Sequence, residues 1–126
     1  MEVSVIVADV LVVDDQPDWR STLRDLVRAV PELKVVGEAA SGEEALGAAE
    51  RLSPELVLMD VRMPGMSGFE ASRALLERLP GTIVMLISVD GRDAEAVRAS
   101  GAAAVIRKQE LSARALAEAW RTYRLR

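Results

Sequence analysis

Four times in this chain a short apolar run stops abruptly at a polar residue, and that recurrence limits the fold more than any other feature. Val10-Leu11-Val12-Val13 ends at Asp14-Asp15, Leu56-Val57-Leu58-Met59 at Asp60, Ile83 to Ile87 at Ser88, and Ala103 to Ile106 just before Arg107-Lys108. Continuous, branched apolar runs of this length are what strands buried on both faces require. Between them lie segments with helical spacing. Pro17 opens one in which Leu23, Leu26, Val27 and Val30 share a face, and Pro31 sits where it should stop. Lys34 to Ala39 reads as a further strand. Ser41 and Glu44 have the spacing of a capping box for a helix through about Leu52. A helix after Gly68 runs to about Arg78, a short one from Asp93 to Ser100 stops at Gly101, and Ser112 to Tyr123 forms the last.

This is a strand–helix unit repeated five times, with no long linker or low-complexity segment. Such alternation predicts a parallel sheet covered on both faces and joined by right-handed crossovers. At 126 residues a single domain spanning 1–126 is expected, a three-layer (βα)5 sandwich of flavodoxin-like type. Its usual strand order is 2-1-3-4-5, although the pattern does not fix that order.

Composition narrows the chemistry. The chain has no cysteine and no histidine, so disulfides, thiolate metal sites and an imidazole base are all excluded. Residues 1–63 carry thirteen acids against six bases, which argues against a nucleic-acid-binding surface there. The basic finish, Arg121, Arg124 and Arg126, reads as a solvated helix end. The apolar stretch from Val3 to Val13 has Glu2 ahead of it and Asp9 within it, and is too short to cross a bilayer, so a cytoplasmic protein without a membrane partner is expected.

In open α/β sheets ligands gather beyond the carboxyl ends of the strands. The residues due there are Asp14, Asp15, Asp60, Ser88 and Lys108. Clustered carboxylates repel unless protons or a cation compensate, and hard oxygen ligands suit Mg²⁺. A hydroxyl and an ammonium opposite them are what a phosphoryl group needs, and a carboxylate is a competent nucleophile for its transfer. The plainer reading makes Asp14-Asp15 an N-terminal cap for the first helix and Asp60 a turn residue. Met59, Met63 and Met66 are expected to pack, and Pro64, Gly65 and Gly68 to shape the turn after Asp60.

The segments Val-Leu-Val-Val-Asp14-Asp15 and Asp60-Val-Arg-Met-Pro64-Gly-Met-Ser-Gly68, with Ser88 and Lys108, resemble the receiver domain of bacterial two-component response regulators. Gly37-Glu38-Ala39 and Gly101-Ala102 are similar to the branch often fused to a C-terminal helix-turn-helix domain. The resemblance implies a signalling switch, not an enzyme beyond assisting its own phosphorylation and dephosphorylation. Asp60 would take a phosphoryl group from a histidine kinase. Asp15, Asp14, Asp60 and the backbone carbonyl of Arg62 would hold Mg²⁺, while Ser88 and Lys108 would bind the phosphate. A weak homodimer is a further expected partner state, and direct nucleic-acid binding by this segment is not expected, since no DNA-binding domain follows the last helix.

Three features depart from that family pattern. Val105 occupies the position where an aromatic residue commonly acts as a switch. The interval from Ser88 to Lys108 is about two residues short by the same comparison, which trims the fourth helix or its entry, and the chain stops after the fifth. Arg62 and Asp90, each two residues beyond a site residue, are expected to pair across the pocket mouth and impede hydrolytic water. The alternative functions are a pseudo-receiver scaffold that signals without phosphate and a metabolite phosphatase. The latter lacks a second acid near Asp60 and any length for a substrate cap.

Overall fold

The computed structural model describes residues 6–90 and 93–125. Five strands alternate with five α-helices: β1 (Ala8–Val13), α1 (Pro17–Arg28), β2 (Leu33–Ala39), α2 (Gly42–Leu52), β3 (Leu56–Asp60), α3 (Gly68–Arg78), β4 (Ile83–Ser88), α4 (Ala94–Ser100), β5 (Ala104–Arg107) and α5 (Ala113–Tyr123). A 3₁₀ turn, Lys108–Glu110, links β5 to α5. All pairings are parallel, as the strand–helix repeat predicts, and the order is β2-β1-β3-β4-β5, the usual one for this fold, which the pattern alone left open.

Alternate residues of each buried strand feed two separate cores. Val10, Val12, Leu56, Leu58, Met85 and Ile87 face Leu23 and Val27 of α1 and Leu116 and Trp120 of α5. Leu11, Val13, Val57, Met59, Val84 and Leu86 face Ala45, Ala48 and Ala49 of α2 and Ala71 and Leu75 of α3. Both sides of the strands are thus removed from water, which is why their sequences show no polar alternation. The small residues of α2 let it lie close to the sheet. Met59 and Met63 are buried and Met66 packs beside them, as expected.

Element boundaries differ from the sequence reading in instructive ways. α1 ends at Arg28, before Val30, because the residue preceding a proline is pushed out of helical conformation. β5 runs Ala104–Arg107, one residue later than Ala103–Ile106, since Ala103 N–H bonds to Val84 as a lead-in. At Ser41 the hydroxyl accepts from Glu44 N–H, whereas the full reciprocal capping box forms at Ser67 and Glu70. Arg121 does not end in solvent alone: its guanidinium grips Glu32 through two nitrogens, tying α5 to the turn before β2. Arg126 lies outside the described residues.

The fourth helix, at seven residues, is the shortest of the five. It is fastened to α3 by Ser72, whose buried hydroxyl donates to the Ser100 carbonyl at 2.9 Å. Gly101 then closes the helix with φ +76°, a left-handed conformation that costs glycine little. No helix among the described residues is long and apolar enough to cross a membrane.

Candidate functional site

Strand register brings the polar strand ends to one edge. Val13 pairs with Met59, so Asp14 and Asp60 follow as the next step on neighbouring strands. Asp60 pairs with Ile87, placing Ser88 one residue beyond, and Ser88 pairs with Arg107, placing Lys108 one beyond that. Sequence positions almost a hundred residues apart therefore converge through ladder pairing alone.

The acids are deeply held. Asp14 is 0% and Asp60 3% exposed, while Asp15 is half-buried. One carboxylate oxygen from each of the three lies within 4.8 Å of the others. Asp14 Oδ1 accepts from Gln16 N–H at 2.9 Å, an Asx-type turn that ends β1 and aims the side chain inward. Its Oδ2 is buried with no hydrogen-bond partner. The N-cap of α1 is Gln16, with no side-chain cap bond, so neither aspartate performs the capping role that their position allows.

Burial is the main force raising the pKa of Asp14. The Gln16 N–H opposes it, and repulsion from Asp60 and Asp15 adds to it. Burial also raises Asp60, against the attraction of Lys108 and the hydrogen bond from Arg62 N–H. Lys108 Nζ stands 3.5 Å from Asp60 Oδ2, and Arg62 N–H approaches Oδ1 at 3.4 Å.

The loop after Asp60 is shaped by close packing. Gly65 adopts φ +77°. A Cβ on Gly68 would fall 2.3 Å from the Asp60 carbonyl oxygen and 2.8 Å from Val61 Cα, so only glycine lets α3 start so near the end of β3. Glu43 of α2 accepts from Met66 N–H at 3.3 Å, fixing the loop from the other side.

At the rim Arg62 Nη2 pairs with Asp90 Oδ2 at 3.2 Å, and the Ser88 hydroxyl donates to Asp90 Oδ1 at 3.4 Å. Below this pair lies a cavity of about 230 Å³, walled partly by Val61, Phe69, Val97 and Val105. Val105 therefore sits beside Ser88 at the pocket, with an aliphatic side chain where a ring would reach further.

One neighbour escaped the sequence reading. Trp19, in the first turn of α1, presents its indole to Lys108 with Nζ 4.5 Å from the ring centroid. Its signal was slight: a rare aromatic residue four positions after the acid pair.

A family model of the response regulator receiver domain matches residues 10–120. The chain belongs to the response regulator receiver domain family. Among relatives, this receiver domain is 43% identical over 102 residues to protein-glutamate methylesterase/protein-glutamine glutaminase 4 of Myxococcus xanthus, covering 79% of this chain and 29% of that protein. It is 37% identical over 92 residues to the nitrate/nitrite response regulator NarL of Escherichia coli K12, covering 73% of this chain and 43% of that one. It thus spans less than half the length of either relative. Among solved structures, the response regulator domain of Thermotoga maritima CheB superposes with a TM-score of 0.82 at 34% identity, over 95% of this chain and 98% of that one. A LuxR-family response regulator from Aurantimonas sp. SI85-9A1 gives 0.85 at 28%, over 94% and 86%. The receiver fold and the two-component family are therefore shown.

The three acids suit a hard divalent cation. At this cluster of three carboxylates the recorded ion pair is that of Lys108 with Asp60, and Asp14 Oδ2 lacks a partner. Mg²⁺ takes such oxygens while keeping waters of its own.

Proposed function

We propose that this receiver domain takes a phosphoryl group onto Asp60 from a histidine kinase, in a pocket that binds Mg²⁺, and acts as a signalling switch. The observation that carries the reading is the acid trio, with Asp14 and Asp60 buried and Lys108 ion-paired to Asp60.

Asp15 and Asp14, with Asp60 and the Arg62 backbone carbonyl, are the ligands we assign to Mg²⁺. The cation supplies charge neutralisation for the phosphoryl oxygens. The chain's own residues do the remainder. An Asp60 carboxylate oxygen attacks phosphorus, the phosphorus–nitrogen bond of the donor breaks, and the leaving imidazole nitrogen takes a proton. An acyl phosphate results. Lys108 moves its attention from the carboxylate to a phosphoryl oxygen. Ser88 turns its hydroxyl from Asp90 to another, so both donors are already beside the charge that develops.

Transmission is where this chain departs from its family. Val105 offers no ring to follow the Ser88 hydroxyl inward, and we assign transmission to the paired strands β4 and β5 and to α4, which adjoin the pocket. Relatives include a nitrate/nitrite response regulator and a protein-glutamate methylesterase/protein-glutamine glutaminase; we assign this chain to response regulation of that general kind.

The test is intact-mass measurement after incubation with Mg²⁺ and a small phosphodonor. The wild type should gain one phosphoryl group and Asp60→Ala none. Absence of any gain in the wild type would overturn the acceptor reading.

A further inference from the structure

We propose that Trp19 is a positioning residue for the phosphoryl chemistry, its indole serving as a seat on which the Lys108 ammonium slides between Asp60 and a phosphoryl oxygen. This rests on the acceptor reading of Asp60 and deepens it.

The first support is geometric. Lys108 Nζ lies 4.5 Å from the ring centroid and 3.5 Å from Asp60 Oδ2. A tight charge-assisted N–H···O bond is about 2.7–2.9 Å, so the ammonium stands back from the carboxylate and toward the ring. A cation held over an aromatic face is attracted to the whole ring, without the directional demand of a hydrogen bond. Nζ can therefore exchange its ion pair with Asp60 for one with a phosphoryl oxygen while its attraction to the ring persists.

The second support is what Trp19 does not do. The face that α1 buries is made by Leu23 and Val27, with Leu26 packed beside them. Trp19 belongs to neither hydrophobic core. A large, half-buried aromatic residue outside the core, with its face to a functional cation, is placed for that cation. It also covers Lys108, whose side chain is only 14% exposed, and shielding from water strengthens the ammonium's pull on an anion.

The experiment compares wild type, Trp19→Phe and Trp19→Leu by calorimetry, first with Mg²⁺ alone and then with Mg²⁺ plus beryllofluoride as the phosphoryl mimic. Trp19→Leu should bind beryllofluoride about tenfold more weakly, and Trp19→Phe, which keeps a smaller ring, about threefold, with Mg²⁺ affinity unchanged in both. A merely structural role would lower Mg²⁺ affinity as well, because Asp14 and Asp15 lie just ahead of this helix, and that result would overturn the proposal. So would beryllofluoride binding by Trp19→Leu within twofold of wild type. Should Trp19→Leu fail to fold, Trp19→Phe decides by the same two readings. A wild type that binds Mg²⁺ but no beryllofluoride overturns the acceptor reading together with this one, whereas normal wild-type binding with unaffected variants removes only Trp19.

Discussion

Replacing Asp14 with asparagine should stabilise the protein in the absence of divalent cations. Asp14 is buried, its pKa is raised mainly by that burial, and Asp60 and Asp15 raise it further. At neutral pH the folded state therefore holds ionised groups that it would rather protonate. Oxygens of the three carboxylates fall within 4.8 Å of one another. At an effective dielectric near 20, each like-charge pair at that distance repels by about 3 kcal/mol. Asparagine removes two such repulsions and one attraction to Lys108, keeps the Oδ1 acceptor for Gln16 N–H, and offers an N–H to the neighbouring carboxylates. After solvent penetration around half-buried Asp15, the net gain should be about 2 kcal/mol, or roughly 6 °C in melting temperature for a domain of this size. The sign with pH follows from the raised pKa. Above it the charge is present in both states and the penalty is complete. As pH falls toward the ordinary value of 3.8 the native state protonates first, so wild type recovers stability and the gap to Asp14→Asn closes. Saturating Mg²⁺ should also close or reverse the gap, because at a hundredfold excess over Kd it adds about 2.7 kcal/mol to whichever protein binds it. Thermal denaturation followed by circular dichroism at pH 7 and pH 4.5, with and without Mg²⁺, makes the comparison. An Asp14→Asn protein that melts below wild type at pH 7 without divalent cation would refute the electrostatic reasoning.

Gly68→Ala should cost about 3 kcal/mol, from a methyl group driven into the Asp60 carbonyl, and shift the urea midpoint with unchanged slope; a loss below 0.5 kcal/mol, taken as the scale of an ordinary surface change, would contradict the close approach. The Arg62–Asp90 pair is 75% and 50% exposed at its two side chains, so its contribution to stability should fall below about 1 kcal/mol. Its effect is expected in kinetics instead: Arg62→Ala and Asp90→Ala should each shorten the life of phosphorylated Asp60 severalfold in a dephosphorylation time course, and unchanged rates in both would show that the pair does not obstruct water.

What the sequence made legible was whatever is written locally. The runs ending at Asp14, Asp60 and Ser88 announce strands and their polar ends in consecutive residues, and Pro17 announces a helix start. The turn after Asp60 was legible for the same reason, since Pro64, Gly65 and Gly68 are constrained by their own backbones. Pairings across the sheet were not. Trp19 and Lys108 are far apart in the chain and meet because β1 and β5, with β3 and β4 between them, all end at the same carboxyl edge of the sheet, so no spacing rule connects them. The capping boxes show a subtler limit: Ser41–Glu44 and Ser67–Glu70 share one pattern, yet only the second Glu reaches back to its cap. Rotamer choice, settled by neighbours, decides that. The site roles of Ser88, Val105 and Arg62 likewise depend on partners that the chain supplies from elsewhere.

The two-sided burial of β1 and β3 has a consequence for how the chain finds its pairing. In a sheet with one wet face, a slip of one residue exposes every apolar side chain, and the error penalises itself. Here both faces are apolar, so a slipped Val13 or Met59 would still meet hydrocarbon. The positions that would suffer are the ends, where Asp14 or Asp60 would be drawn in among Leu and Val without its neighbours. The same carboxylates that furnish the pocket thus act as end stops for strand alignment, and a cation-binding measurement on this protein doubles as a check on the fidelity of its sheet.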